Sequence, residues 1–266
     1  MVGMESLQYL FDIQGYLVLK DVLSKRETDT LNQLVDVQEL DESTAITHSR
    51  FGIAPEGAGF LEYGQPFCDL LDHATIMEIL RMRLGDWFRL DRIYGIHGSS
   101  SDHWKPHLHA DYGAIQPLSP ILPGEYYHPR RNEILDGFVV VSWNLTDTGP
   151  DYGGFHCIPG SHKANYRLPE TISQAPEESA AVIIPDAPAG SVTLFTESLT
   201  HGTARWRAPH RRRSLLYKYS LTHLVWQTSR VQKPENFTLT DRQRTLLSEP
   251  GDPRFVAEQE APLFPH

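Results

Sequence analysis

The chain has 266 residues, 40% of them hydrophobic and 22% charged, a balance that lets a globular protein bury a full core. A formal net charge of -10 excludes a general nucleic-acid surface, which needs concentrated basic residues, and no run approaches the length that spans a bilayer. Two cysteines, Cys68 and Cys157, make no disulfide framework, and residues 1–20 lack a basic-then-apolar leader. The expectation is therefore a cytoplasmic, soluble protein; it is further expected, not from composition, to be a monomer or homodimer acting on a small molecule.

Residues 5–13 read as a short helix broken by Gly15, and Tyr16 to Lys20 as a strand. Ser24 with Glu27 three residues on forms a capping box, and the helix it opens runs to about Asp36 with Leu31, Leu34 and Val35 on one face. Residues 40–65 are polar and glycine-rich, without a period. Residues 68–84 predict one amphipathic helix, with Leu70, Leu71, Ile76, Ile79 and Leu80 inward and Gly85 as its stop. From residue 87 strands take over. They are expected at 87–96, around His109, at 138–145 (an apolar run buried on both faces), and at 155–158, 180–184, 190–195 and 214–220. Residues 114–136, with Pro117, Pro120, Pro123 and Pro129, read as a long irregular connection of the kind that serves as a lid. The tail adds a helix at 240–247. Helices first, then seven or eight strands, predict a β-barrel or sandwich with helical buttressing, in one domain over residues 1–266.

His109-Ala110-Asp111 places an imidazole and a carboxylate two residues apart, on one face of an extended strand. About one His-x-Asp is expected by chance in a chain this rich in both residues, so the motif needs context. A second histidine elsewhere, His201, would complete a 2-His-1-carboxylate triad on Fe(II), with positions left open for a cosubstrate and O2. The same ligand types suit a zinc hydrolase, and a barrel that only binds remains a further alternative. A halogenase would need a small residue where Asp111 stands. Past His201 the basic run Arg205 to Arg213 interrupts an acidic chain. One arginine at the start of the next inward strand, helped by the Thr203 hydroxyl, would fork onto the distal carboxylate of a dicarboxylate cosubstrate. Its neighbours are expected in solvent. His107 and Tyr112 flank the motif as pocket lining or as ordinary packing. Tyr126 and Arg130, on the 114–136 connection, are candidates to touch substrate.

Several stretches together resemble the phytanoyl-CoA dioxygenase family of Fe(II)/2-oxoglutarate oxygenases. They are Phe11-Asp12 with Gly15 to Leu19, His109-Ala110-Asp111, Gly153-Gly154-Phe155 through Ile158-Pro159-Gly160-Ser161-His162-Lys163, and His201-Gly202-Thr203. The resemblance spans about residues 8–222 and leaves 223–266 as a C-terminal extension. It implies a mainly β, double-stranded β-helix (jelly-roll, cupin-like) barrel, with Fe(II) on His109, Asp111 and His201. It further implies 2-oxoglutarate on Arg212, eleven residues past His201, with Thr203 beside it and Trp143 as an aromatic neighbour. His162, inside the family's most recognisable segment, is expected to hold a turn and not a metal. The implied reaction is hydroxylation of an unactivated C–H bond with release of succinate and CO2.

Overall fold

The computed structural model describes residues 3–40, 49–54, 57–99, 105–110, 128–130, 133–164, 166–226, 230–252, 254 and 261–264. Helix α1 (Met4–Gln14) ends where Gly15 turns left-handed at φ +79° and its N–H reaches the Phe11 carbonyl. Strand β1 (Tyr16–Leu19) follows. The capping box then opens α2 (Lys25–Asp36): Ser24 N–H donates to Glu27 Oε2 at 2.7 Å, and Glu27 N–H donates to the Ser24 hydroxyl at 3.3 Å. The polar stretch holds a short strand, β2 (Ser49–Phe51), which has no hydrophobic period because it is three residues long and lies at a sheet edge.

The helix expected over 68–84 is two helices, α3 (Gln65–Asp69) and α4 (Ala74–Leu84), with extended His73 between them. The break leaves carbonyls that a continuous helix would have used. Two buried tyrosines take them: Tyr217 donates to the Phe67 carbonyl at 2.7 Å and Tyr219 to that of Leu71 at 2.8 Å. Asp72, in the break, receives Gln243 Nε2 at 2.8 Å. Gly85 closes α4 as expected.

The remaining strands are β3 (Phe88–Gly98), β4 (His107–His109), β5 (His128–Arg130), β6 (Glu133–Leu135), β7 (Phe138–Asn144) and β8 (Gly154–Cys157). After α5 (Glu170–Gln174) come β9 (Val192–Thr196), β10 (His201–Ala204), β11 (Arg212–Leu221) and α6 (Asp241–Leu246). The strand expected at 180–184 is a single bridge, Ile183 to Cys157. The connection expected to be irregular to residue 136 carries the β5–β6 hairpin. Its end is anchored where the buried Arg83 of α4 bonds Asp136 at 2.6 Å. Residues 111–127, the body of the expected lid, lie outside the described residues.

Six strands form one sheet in the order β1-β9-β7-β11-β3-β2, and three form the opposing sheet β4-β10-β8, all antiparallel. Period-2 alternation divides β11. Leu215, Tyr217 and Tyr219 pack against the helices, in one core with Leu31, Phe67, Ile79 and Leu80, whereas Leu216 faces between the sheets with Tyr94, Ile96, Val140, Phe195 and Cys157. This is the expected mainly β, double-sheet barrel buttressed by helices. The C-terminal stretch is part of the helix-side core through Leu239, Leu246, Leu247 and Leu263.

His162 is buried, with Nε2 2.9 Å from the Asp12 carbonyl, so it ties the Pro-Gly-Ser-His turn to the end of α1. A Cβ on Gly15 would stand 2.5 Å from His162 Nδ1, so Gly15 is needed for space as well as for φ. Burial pushes the imidazole down to about 4. The unfolded chain then takes up this proton first as pH falls, so the contribution is intact above the ordinary histidine range and is lost as pH drops toward about 4. Urea midpoints should fall between about pH 7 and about pH 5, and His162→Gln should flatten that slope. Equal slopes in the two proteins would count against a neutral buried His162.

Candidate metal and cosubstrate site

The short sheet brings the two histidines together. β10 pairs with β4 so that His201 stands opposite His109 and Thr203 opposite His107. All four side chains therefore share one face, the one turned toward the larger sheet. The His109 and His201 ring centroids are 4.4 Å apart, and those of His107 and His109 are 5.5 Å apart. His201 is buried, with Nδ1 2.7 Å from the Leu199 carbonyl. That contact needs the proton on Nδ1, which leaves the Nε2 lone pair for a metal. Phe195 and Phe155 flank its ring, at 4.6 and 6.0 Å between centroids. The sequence marks Phe155 only as part of the Gly153-Gly154-Phe155 motif and Phe195 only as a strand residue, neither as a neighbour of His201. Asp111 and Tyr112 lie outside the described residues, as do Tyr126 and the side chain of Arg130, whose backbone is in β5.

Arg212 opens β11 on the inner face, 4% exposed, and its Nη1 donates to the Thr203 hydroxyl at 3.1 Å. Among the described residues it has no carboxylate partner, and its Nε–H is buried without an acceptor. Burial lowers its pKa to about 10. Among the described residues, a guanidinium held this way lacks the anion that usually accompanies a buried charge. A carboxylate entering between the sheets would meet the unmatched Nε–H and the Thr203 hydroxyl together. The donor set thus fits a metal on the histidines and a dicarboxylate reaching from it to Arg212. Arg213, one residue on, faces outward and pairs with Asp36 and Asn32 of α2.

Trp143 is a correction. It stands opposite Leu215 and Val192 on the helix side of β7, with its ring T-shaped against His73 at 5.3 Å. Arg212 and Ser214 have the other parity, so Trp143 does not stand beside them. The inward β7 residue nearest Arg212 is Asn144, which accepts from Ser214 at 3.3 Å and donates to Thr193 at 3.2 Å. Polar residues inside otherwise apolar strands were the available signal for this ladder.

Behind β10, His156 crosses over Gly202 to the His107 carbonyl, 3.1 Å from its Nε2. Burial lowers its pKa to about 4, so the neutral ring donates this bond through Nε2. A Cβ on Gly202 would stand 2.0 Å from the His107 oxygen and 2.7 Å from His156 Nε2. Gly202→Ala should therefore push β4 off β10 and separate His109 from His201. Co(II) affinity, read by its visible absorption, should fall about 10- to 100-fold, the size of a lost second-shell support. Retained affinity would show that the β4–β10 register does not control the pair.

A family model described as phytanoyl-CoA dioxygenase matches residues 11–214. No curated protein matches the chain by sequence. Among solved structures, HygX from Streptomyces hygroscopicus with nickel and 2-oxoglutarate bound is similar, with a TM-score of 0.71 at 21% identity over 85% of this chain and 90% of that one. HygX with hygromycin B also bound gives 0.70 at 22% identity over the same shares. The α-ketoglutarate-dependent epimerase SnoN from nogalamycin biosynthesis gives 0.56 at 16% identity, over 82% of this chain and 83% of that one. At these identities the structures speak for the fold, while the family match covers most of the chain: it is a member of the phytanoyl-CoA dioxygenase family.

Proposed function

We propose that the protein is an Fe(II)- and 2-oxoglutarate-dependent oxygenase that hydroxylates an unactivated C–H bond of a small molecule, yielding succinate and CO2. His109, Asp111 and His201 hold the iron in this reading, and Arg212 with Thr203 receives the distal carboxylate of 2-oxoglutarate. Family membership supports it, as do the metal and 2-oxoglutarate carried by relatives of the same fold. The observation that carries it is Arg212: a buried guanidinium without a carboxylate partner among the described residues, bonded to a hydroxyl two residues from His201. A zinc hydrolase would have no use for that group, and neither would a barrel without a dicarboxylate ligand. No helix among the described residues is long and apolar enough to cross a membrane.

When bound, iron with 2-oxoglutarate and O2 supplies the oxidising power. The chain supplies the placement. Arg212 fixes the cosubstrate by its far end, and the Leu199 carbonyl fixes the His201 tautomer. Phe155 and Phe195 keep water from the inner side of the His201 ring. His107, beside His109 on the same strand, is the described candidate to touch substrate, and Tyr112, Tyr126 and Arg130 are candidates by sequence alone.

Anaerobic addition of 2-oxoglutarate to the Fe(II) protein should produce a visible charge-transfer band that glutarate and Zn(II) do not produce. Its absence would refute the reading. Product analysis under labelled O2 then separates hydroxylation, with label in the product, from an outcome such as epimerisation, in which no oxygen enters the product.

A further inference from the structure

Four cations stand on the inner face of the six-stranded sheet: Arg50 on β2, Arg92 on β3, and Lys218 and Arg212 on β11. The register puts them there. Arg50 lies opposite Ile96, Arg92 opposite Lys218, and Tyr94 opposite Leu216, and Tyr94, Ile96 and Leu216 line the apolar space between the sheets. Three of the four converge on one ring. The Arg50 guanidinium is 4.4 Å from the Tyr94 centroid, that of Arg92 is 5.6 Å away, and Lys218 Nζ is 5.7 Å away. Lys218 is neutralised by the buried Glu197. Arg50 and Arg92 form no ion pair among the described residues, and the Arg92 Nε–H is buried without an acceptor.

Like charges gathered around one aromatic ring repel one another, and the negative faces of the ring offset only part of that cost. An anion set between the two guanidinium groups would offset the rest and satisfy the Arg92 Nε–H. The Arg92 end of this cluster lies at a different level of the barrel from Arg212, with Tyr94 and Arg50 between them. Arg212 lies opposite Gly98, and Arg92 is six residues along β3 from there, about 20 Å of extended strand. The cluster is nevertheless joined to the metal site. Tyr94 and Leu216 pack with Phe195, whose ring centroid is 4.6 Å from that of His201.

We infer that Arg50 and Arg92, on the ring of Tyr94, bind an anionic group of the substrate, a carboxylate or a phosphate, while Phe195, Ile96 and Leu216 receive its apolar part. The inference rests on the oxygenase reading only for calling the ligand a substrate, because the anion site itself needs neither iron nor 2-oxoglutarate.

The test is calorimetric titration of the metal-free full-length protein with hexanoate, hexyl phosphate and the neutral methyl hexanoate. One or both anions should bind, more weakly as salt rises, and the neutral ester should not. Preference between the two anions assigns carboxylate or phosphate. Arg50→Gln, at an exposed position, and Arg92→Gln should each weaken anion binding about tenfold or more. Arg92→Lys should recover part of it, and 2-oxoglutarate affinity of the Fe(II) protein should not change in any of these variants. Arg212→Gln should do the opposite, losing 2-oxoglutarate and keeping the anion. Three results would overturn the inference: no anion binding at millimolar concentration, equal binding of the ester, or anion binding lost with Arg212 and kept without Arg50 and Arg92. If 2-oxoglutarate fails to bind while the anions do, the oxygenase reading fails and the anion site stands.

Discussion

His201→Ala should leave a folded protein that no longer retains iron and no longer converts 2-oxoglutarate to succinate. His109→Ala and Asp111→Ala should do the same. The two histidines face each other across one β-ladder and the His201 tautomer is already set, whereas the nearest other imidazole, His107, stands one step further along β4 opposite Thr203. Loss of a direct ligand should exceed the 10- to 100-fold effect of a lost outer-shell support, so turnover should fall by more than about 100-fold. Folding should survive, because His201 sits between the sheets and outside the helix-side core that Leu31, Phe67, Leu80 and Tyr217 dominate. Iron content after dialysis, succinate release and far-ultraviolet circular dichroism together check this. A variant that keeps iron and near-normal turnover would remove its residue from the ligand set, and for Asp111 this experiment decides whether the carboxylate is the third ligand.

What could be read in the sequence was whatever local chemistry decides. The Ser24–Glu27 box sits within one turn, and the alternation of β11 separates inward Arg212 from outward Arg213 because one face is buried between sheets and the other meets α2. What could not be read depended on distant partners. The break between α3 and α4 is stabilised by Tyr217 and Tyr219, 150 and 148 residues away in sequence from the carbonyls they cap. Trp143 lies in a run buried on both faces, where hydrophobicity carries no parity, so the resemblance supplied a position without the face. The contact of His156 over Gly202 belongs to the same class, since only the β8–β10–β4 register creates it. Nothing in the sequence singles out Arg50 and Arg92; the pairing of β2 with β3 is what brings Arg50 over Tyr94.

Arg212→Ala should weaken 2-oxoglutarate binding by about 2–5 kcal/mol, the range for removing one partner of a buried charge pair. Arg212→Lys should recover only part of this, because an ammonium cannot fork onto both carboxylate oxygens. Thr203→Val should cost less, about 0.5–1.5 kcal/mol, as the loss of one neutral hydrogen bond. The two effects should not add, since Arg212 Nη1 already bonds the Thr203 hydroxyl at 3.1 Å and the carboxylate would meet both groups together. The sharper test concerns stability. Without a ligand, Arg212 is a buried charge that has, among the described residues, one hydroxyl partner and an Nε–H lacking an acceptor, so its presence costs the fold free energy. Arg212→Met, similar in length and apolar, should therefore leave the ligand-free melting temperature unchanged or raise it. The same variant should lose the upward shift that 2-oxoglutarate gives the Fe(II) protein, because binding to the folded state is what produces that shift. An Arg212→Met protein that melts well below the parent and still gains stability from 2-oxoglutarate would mean that the guanidinium holds the barrel together and that the dicarboxylate binds elsewhere.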